Sequence, residues 1–176
     1  MNGFLLLVPF FIIRFGLLSV LGRRAVQRAA HFAPMRGAEK AAYYIYQIST
    51  AGILLLPLFL EVKADFSWMF YLGLACYLSG LLLCAAAMVS FSAPDETGLN
   101  RNGMYRLSRN PMYVAYFVCF VGMALLTRSP VLLGAVFVFQ VSAHWIILAE
   151  ERWCIETFGP AYRRYMERVG RYLWRF

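Results

Sequence analysis

Residues 111–149 read PMYVAYFVCFVGMALLTRSPVLLGAVFVFQVSAHWIILA and contain one formally charged side chain, Arg128, which lies two positions before Pro130. A helix that crosses about 30 Å of hydrocarbon needs about 20 apolar residues, so this stretch is long enough for two spans. Because a charge and a proline interrupt it near its middle, we predict two membrane helices joined by a tight turn. The stretch therefore indicates a helical hairpin.

Three further apolar runs precede this hairpin. Residues 41–60 and 66–93 carry no charge, and residues 1–21 carry only Arg14. We interpret the first run as a retained span, because Arg14 interrupts its centre and two arginines follow where small residues would mark signal cleavage. Arg14 must find a partner or water within the bundle, or extend to an interface. The sequence predicts an all-α, polytopic transmembrane bundle of about five spans, forming a single membrane domain over residues 1–176.

The positions of the charges predict the orientation. The chain has 17 Lys and Arg against 9 Asp and Glu, a formal net charge of +8. Most of the basic residues lie in residues 23–40, 101–109 and 152–175, which follow the first, third and fifth runs. Cytoplasmic loops carry the excess of Lys and Arg, so we expect the N-terminus outside and the C-terminus in the cytosol. Topology and anionic headgroups account for the charge, and we expect no nucleic-acid partner.

The composition argues against several classes of protein. The chain is 61% hydrophobic and 15% charged, whereas a soluble domain carries about 25% charged residues. The four cysteines form no C-x-x-C pair and no cluster with the two histidines, so we expect no metal site. Transporters usually place polar residues near mid-membrane in two related halves. Here the polar residues gather at one end, which favours a one-sided site.

The first polar cluster connects the third and fourth runs. Residues 97–113, TGLNRNGMYRLSRNPMY, combine glycines with Arg109, Asn110 and Tyr113, whose side chains can donate hydrogen bonds to an anion. Pro111 suits the first turn of a helix, where free backbone N–H groups attract a carboxylate or phosphate. The same pattern is also typical of an ordinary basic loop at a membrane surface.

The second polar cluster ends the fifth run and contains His144, Glu150 and Glu151. Adjacent carboxylates at a bilayer boundary are unfavourable unless cations or donors meet them, and the first cluster supplies such groups. His144 and Glu151 are seven residues apart and share a helical face. Tyr162 and Tyr165 follow in a basic amphipathic segment, which forms either an interfacial belt or a cover over a cytosolic pocket.

Taken in order, these elements resemble the superfamily of isoprenylcysteine carboxyl methyltransferases and phospholipid N-methyltransferases, which are integral membrane enzymes. Its G-x-Y-x-x-x-R-H-P-x-Y stretch is similar to residues 103–113, and its Glu-Glu pair to Glu150-Glu151. Its F-G-x-x-Y-x-x-Y segment is similar to FGPAYRRY at residues 158–165. Asn110 stands where the family usually has histidine, and asparagine cannot take up a proton near neutral pH.

The resemblance implies a methyltransferase that uses S-adenosyl-L-methionine as cofactor. Its pocket would be built from the cytosolic segments 94–111 and 150–176. Arg109 and the start of the fourth helix would take the cofactor's carboxylate, and Glu150 or Glu151 its amine or ribose hydroxyls. The implied cofactor-binding residues are Gly103, Tyr105, Arg109, Asn110, Pro111, Tyr113, Glu150 and Glu151, and the implied catalytic residues near the acceptor are His144, Glu151, Arg152, Tyr162 and Tyr165.

The resemblance also implies a lipophilic methyl acceptor that enters sideways from the lipid bilayer. An isoprenylcysteine-like carboxylate, a phospholipid amine and a thiol all remain open. For the amine, Glu151, His144 or Tyr165 would have to take a proton. The economy of the chain favours the inner membrane of a prokaryote, with the site facing the cytosol. Nothing in the sequence indicates an oligomeric state.

Two other functions remain as alternatives. A membrane reductase of the sterol-reductase type, which uses NADPH, shares a similar hairpin but is usually longer. A non-catalytic homologue or transporter is the other alternative, and the replacement of the family's histidine by Asn110 keeps it open.

Overall fold

The computed structural model describes residues 1–21 and 33–173, so the predicted basic positions within 22–32 and 174–176 lie outside the described residues. Within the described part, the secondary structure is helical apart from an isolated bridge between Asn2 and Glu61. We number the helices α1 (Gly3–Leu21), α2 (Ala38–Leu55, extended by a 3-10 turn, Leu56–Phe59), α3 (Trp68–Ser92), α4 (Pro111–Thr127), α5 (Pro130–Phe158) and α6 (Pro160–Arg168).

The helices have the length and composition of a multi-pass membrane protein, as predicted. Four of them, α1, α2 with its extension, α3 and α5, are long and apolar enough to cross a membrane. The remaining predicted span, α4, is an apolar helix of 17 residues, or about 26 Å. It is short because Pro111 begins it and Arg128, in the left-handed conformation at φ 49°, ends it.

The connection between α4 and α5 is the tight turn that the sequence predicts. The N–H of Arg128 donates to the carbonyls of Ala124 and Leu125, which closes the end of α4. The hydroxyl of Ser129 then accepts a hydrogen bond from the N–H of Leu132 at 3.1 Å and caps the start of α5. The last two predicted spans therefore form a helical hairpin with a two-residue connection.

Close backbone contact joins α3 to α4. A Cβ atom added to Gly80 would lie 2.4 Å from the backbone N of Cys119, and one added to Gly122 would lie 2.3 Å from that of Tyr77. Glycines of this kind allow membrane helices to approach each other closely. The hydroxyl of Tyr77 donates to the carbonyl of Leu6 at 2.7 Å and so attaches α1 to the same pair. These contacts hold the middle of α4 against α3.

A second set of contacts fixes the end of α5. The guanidinium of Arg152 donates to both carboxylate oxygens of Glu39 at 2.5 and 2.7 Å, and to the carbonyl of Pro34 at 3.0 Å. Glu39 belongs to the first turn of α2. The start of α2 and the end of α5 are therefore held together beside the start of α4.

Candidate functional site

A cavity of about 680 Å³ lies where α4 begins and α5 ends. Its walls come from α1, α2, the connection between α3 and α4, the first turn of α4, the last turns of α5, and α6. Small-molecule sites in proteins usually have volumes of about 300–1,000 Å³. Both predicted segments, 94–111 and 150–176, contribute residues to this cavity.

One carboxylate at the cavity is shared by two arginines. Glu151, which is 4% exposed, accepts hydrogen bonds on Oε1 from Nε and Nη2 of Arg109 at 3.1 and 2.8 Å. Its Oε2 accepts from Nε and Nη2 of Arg171 at 3.1 and 2.9 Å. The Nη1 of Arg109 donates to the carbonyls of Met166 and Val169, each at 3.1 Å. The Arg109–Glu151–Arg171 triad thus ties three separate segments together, and its carboxylate is saturated.

The neighbouring carboxylate has a different environment. Glu150 also lines the cavity, and its Oε1 accepts a hydrogen bond from the hydroxyl of Tyr113 at 3.1 Å. Among residues 1–21 and 33–173, no Lys, Arg or His forms an ion pair with it. Of the two adjacent glutamates, Glu150 is therefore the one whose carboxyl group is left for a ligand.

The first turn of α4 lacks a side-chain cap. Asn110 occupies the N-cap position, but its amide group donates to the carbonyl of Arg171 at 3.1 Å instead of capping the helix. Met112 and Tyr113, whose backbone N–H groups belong to this turn, line the cavity. A helix start of this kind has partial positive charge and donors for an anion.

Aromatic side chains form much of one wall of the cavity, among them Tyr105, Trp153, Phe158, Tyr162 and Tyr165. The hydroxyl of Tyr165 donates to the carbonyl of Tyr105 at 2.6 Å. Burial raises the pKa of both Tyr162 and Tyr165 well above the usual tyrosine value. Both hydroxyls are therefore protonated at neutral pH, and the geometry does not support the interpretation of Tyr165 as a proton acceptor.

The structure separates the predicted cofactor residues into two groups. Six of the eight line the cavity, namely Tyr105, Arg109, Asn110, Tyr113, Glu150 and Glu151. Gly103 and Pro111 do not. Gly103 has φ 52° and packs so closely on α3 that an added Cβ would lie 2.3 Å from the hydroxyl oxygen of Ser90. Pro111 is buried at the start of α4. Gly103 and Pro111 therefore affect the cavity through the conformation of the backbone.

Two of the predicted catalytic residues lie outside the cavity lining. His144 is paired through Nδ1 with the hydroxyl of Tyr172 at 2.6 Å, on the side of α5 that faces the C-terminal segment. Adjacent residues of a helix differ by about 100° in direction. Arg152 therefore points away from its neighbour Glu151 and binds Glu39 instead. Glu151, Tyr162 and Tyr165 do line the cavity. His144 and Arg152 are therefore not among the residues that line the cavity, and their place beside the acceptor stays a prediction.

Some cavity residues were not singled out from the sequence, although Asn100 lies within the predicted segment 94–111. Asn100 has a buried side-chain oxygen that finds no hydrogen-bond partner among the described residues. Tyr46 on α2 and Arg14 on α1 also reach the cavity. An arginine within an apolar span is itself a signal of a functional site, whereas nothing in the sequence distinguishes Asn100 or Tyr46.

Comparison with known proteins identifies a family for this chain. A family model described as "Phospholipid methyltransferase" matches residues 68–161, from the start of α3 into α6. No curated protein matches the chain. The matched segment contains the uncapped start of α4, both glutamates and Arg109, and it covers more than half of the chain. This membrane protein therefore belongs to the phospholipid methyltransferase family.

Proposed function

We propose that this protein transfers a methyl group from S-adenosyl-L-methionine to a lipophilic acceptor, at the cytosolic end of a bundle of about five spans whose N-terminus lies outside. Family membership supports a membrane methyltransferase. The observation that carries the proposal is Glu150, which faces a cavity of about 680 Å³ with a tyrosine hydroxyl as its hydrogen-bond partner and no ion-pair partner in the described chain.

The groups around the cavity fit the chemistry of this cofactor, which combines an amine, a carboxylate, ribose hydroxyls, an adenine ring and a sulfonium. Glu150 can accept hydrogen bonds from the amine or a hydroxyl, and the buried oxygen of Asn100 offers another acceptor. The aromatic wall that includes Trp153 and Phe158 suits a flat ring. When bound, the cofactor supplies an electrophilic methyl group on a positively charged sulfur.

The carboxylate of the cofactor is assigned to the start of α4. The sequence suggested Arg109 for this role together with the helix start. In the structure every nitrogen of the Arg109 guanidinium already donates to Glu151 or to a backbone carbonyl. We therefore assign the carboxylate to the backbone N–H groups of Met112 and Tyr113. Arg109 becomes a positioning residue, because it holds the carboxylate of Glu151 and the C-terminal segment against the cavity.

In this proposal, the residues around the acceptor exclude water and take up a proton from an amine acceptor. Methyl transfer from a sulfonium is an in-line displacement, so the protein mainly has to align the two reactants in a dry site. An acceptor that is a carboxylate or thiolate needs no base. A protonated amine must lose a proton, and the Oε2 of Glu150 is the available carboxylate oxygen, since both oxygens of Glu151 are held by arginines. Asn110 cannot perform this step.

The proposal is tested by calorimetric titration of the detergent-purified protein with S-adenosylhomocysteine, with NADPH as the control ligand. Charged hydrogen bonds are worth about 1.5–3 kcal/mol, so Glu150→Gln should weaken S-adenosylhomocysteine binding by about tenfold or more. Glu156→Gln is the matched control, because Glu156 is an exposed carboxylate on the same helix. Binding of NADPH alone would favour the reductase, and binding of neither ligand would refute the cofactor site.

A further inference from the structure

A single cation lies inside the first span. Arg14 belongs to a π-helical segment of α1, Ile12–Leu17, and is seven residues, or about 10 Å, from the end of the span at Leu21. Its Nη1 is 4.0 Å from the sulfur of Met88, and its Cζ is 5.9 Å from the centre of the Tyr116 ring. Arg14 forms no ion pair within residues 1–21 and 33–173.

An unpaired arginine in this place requires an explanation. A charge within the hydrocarbon region costs several kcal/mol unless it meets a partner or water. The partners beside Arg14, which are the ring and hydroxyl of Tyr116 and the thioether sulfur of Met88, are neutral and do not balance its charge. The guanidinium does not face lipid alone, because Arg14 also lines the cavity of the candidate site. The cavity therefore gives a ligand access to the guanidinium.

The helical geometry and the surroundings support a ligand site. π-helical turns are rare and frequently lie at functional sites, because the extra residue changes the direction of a side chain. Tyr46 on α2 lines the cavity together with Arg14 and Glu150. The cavity thus has a cation toward the middle of the membrane and an anion, Glu150, near the end of α5.

We propose that Arg14 binds the oxyanion, such as a phosphate, of a lipid acceptor and so determines which lipids the site accepts. The inference rests on the proposed methyltransferase site and adds a property of its acceptor. An oxyanion carried by a lipid reaches this depth more readily than a free ion, because Met112, Phe91 and Tyr116 surround the approach to Arg14 with apolar surface. Arg14 lies outside the segment that matches the family model, residues 68–161.

The test compares two lipids that differ by one phosphate. The purified protein in a neutral detergent is titrated with dioctanoyl phosphatidic acid, with dioctanoylglycerol and with inorganic phosphate, and binding is followed by the fluorescence of tryptophan, since Trp153 lines the cavity. We expect phosphatidic acid to bind at least about tenfold more tightly than dioctanoylglycerol. Inorganic phosphate that binds as tightly as phosphatidic acid would overturn the assignment to a lipid.

Variants at Arg14 decide whether this residue causes the preference. Arg14→Gln should reduce the ratio of the two lipid affinities to about one. Arg14→Lys, the second variant should the first not fold, should lower the ratio only in part, because lysine keeps the charge without the forked donors. Arg163→Gln, an exposed arginine on α6, is the control for general attraction and should leave the ratio unchanged. A ratio unaffected by both Arg14 variants would overturn the proposal.

The same samples separate this inference from the proposed function. S-adenosylhomocysteine should bind the wild type and Arg14→Gln with affinities within about twofold of each other, because Arg14 is assigned to the acceptor. A tenfold difference in affinity would require a change of about 1.4 kcal/mol in the free energy of binding. Cofactor binding without a preference for phosphatidic acid would overturn the role of Arg14 alone. Loss of cofactor binding in every sample would overturn the methyltransferase site on which the inference rests.

Discussion

Replacing Arg109 with glutamine removes the buried cation of the Arg109–Glu151–Arg171 triad. The side chain of Arg109 is 7% exposed and that of Glu151 is 5% exposed, whereas that of Arg171 is 31% exposed. Removing one partner of a buried ion pair typically costs about 3–5 kcal/mol, because the other charge is left without compensation. An exposed pair contributes about 0–1 kcal/mol.

These values predict an asymmetry between the two arginines. Arg109→Gln leaves Glu151 with a half-buried partner and also removes the donors to the carbonyls of Met166 and Val169, so we expect a loss of about 3 kcal/mol in the free energy of unfolding. Arg171→Gln leaves the buried pair intact and should cost about 1 kcal/mol. The free energy of unfolding can be measured by titration with sodium dodecyl sulfate in mixed micelles, followed by circular dichroism.

The outcome also tests the assignment of Arg109 as a positioning residue. If Arg109 acts on the cofactor only by holding Glu151 and the C-terminal segment, Arg109→Lys should recover part of the stability and part of the affinity for S-adenosylhomocysteine together. Equal destabilisation by the two glutamine variants would refute the burial argument. Full stability with complete loss of cofactor affinity in Arg109→Gln would instead show that Arg109 binds the cofactor directly.

Two further predictions concern residues 94–111 and 150–176. Tyr165→Phe removes the donor to the buried carbonyl of Tyr105 and should lower the free energy of unfolding by about 1–3 kcal/mol, measured in the same titration; an unchanged midpoint would show that water replaces the hydroxyl. Hydrogen bonds from Thr97 and Arg101 hold the pKa of Asp95 below its usual range, so the folded segment prefers the ionised form. Its stabilisation should be complete above the unfolded pKa of about 3.9 and be lost as the pH falls through the lower folded pKa. Hydrogen exchange of the peptide over residues 94–102, corrected for intrinsic rates, checks this, and exchange that accelerates already near pH 6 would contradict it.

Much of the fold follows from local sequence. An apolar run of sufficient length must satisfy its backbone groups internally in a bilayer, which leaves the helix as the available structure. The turn between α4 and α5 is set by Arg128, Ser129 and Pro130, whose conformations and caps are local properties. The motif spacing also identified both glutamates and Arg109 as neighbours of one site. The sequence did not show the exact length of α4, because hydropathy does not reveal where a left-handed residue ends a helix.

The different roles of the two glutamates in the site depend on tertiary contacts. Glu150 and Glu151 are adjacent and chemically identical, but they point in directions about 100° apart. Glu151 meets Arg109, which is 42 residues away, and Arg171, which is 20 residues away. Glu150 meets Tyr113 instead. Only the packing of α4, α5 and the C-terminal segment decides which carboxylate is neutralised and which remains for a ligand.

Tertiary packing also explains why some residues do not lie where the sequence predicted them. His144 and Arg152 are turned away from the cavity by partners in Tyr172 and Glu39, which lie 28 and 113 residues from them. Arg14 enters the site from the first helix because of the way α1 packs beside α3 and α4. Sequence by itself determined that the protein is a helical membrane protein with a polar site at one end. The tertiary structure decided which polar groups neutralise each other and which remain unpaired, because electrostatic pairing depends on distances between segments that no local pattern encodes.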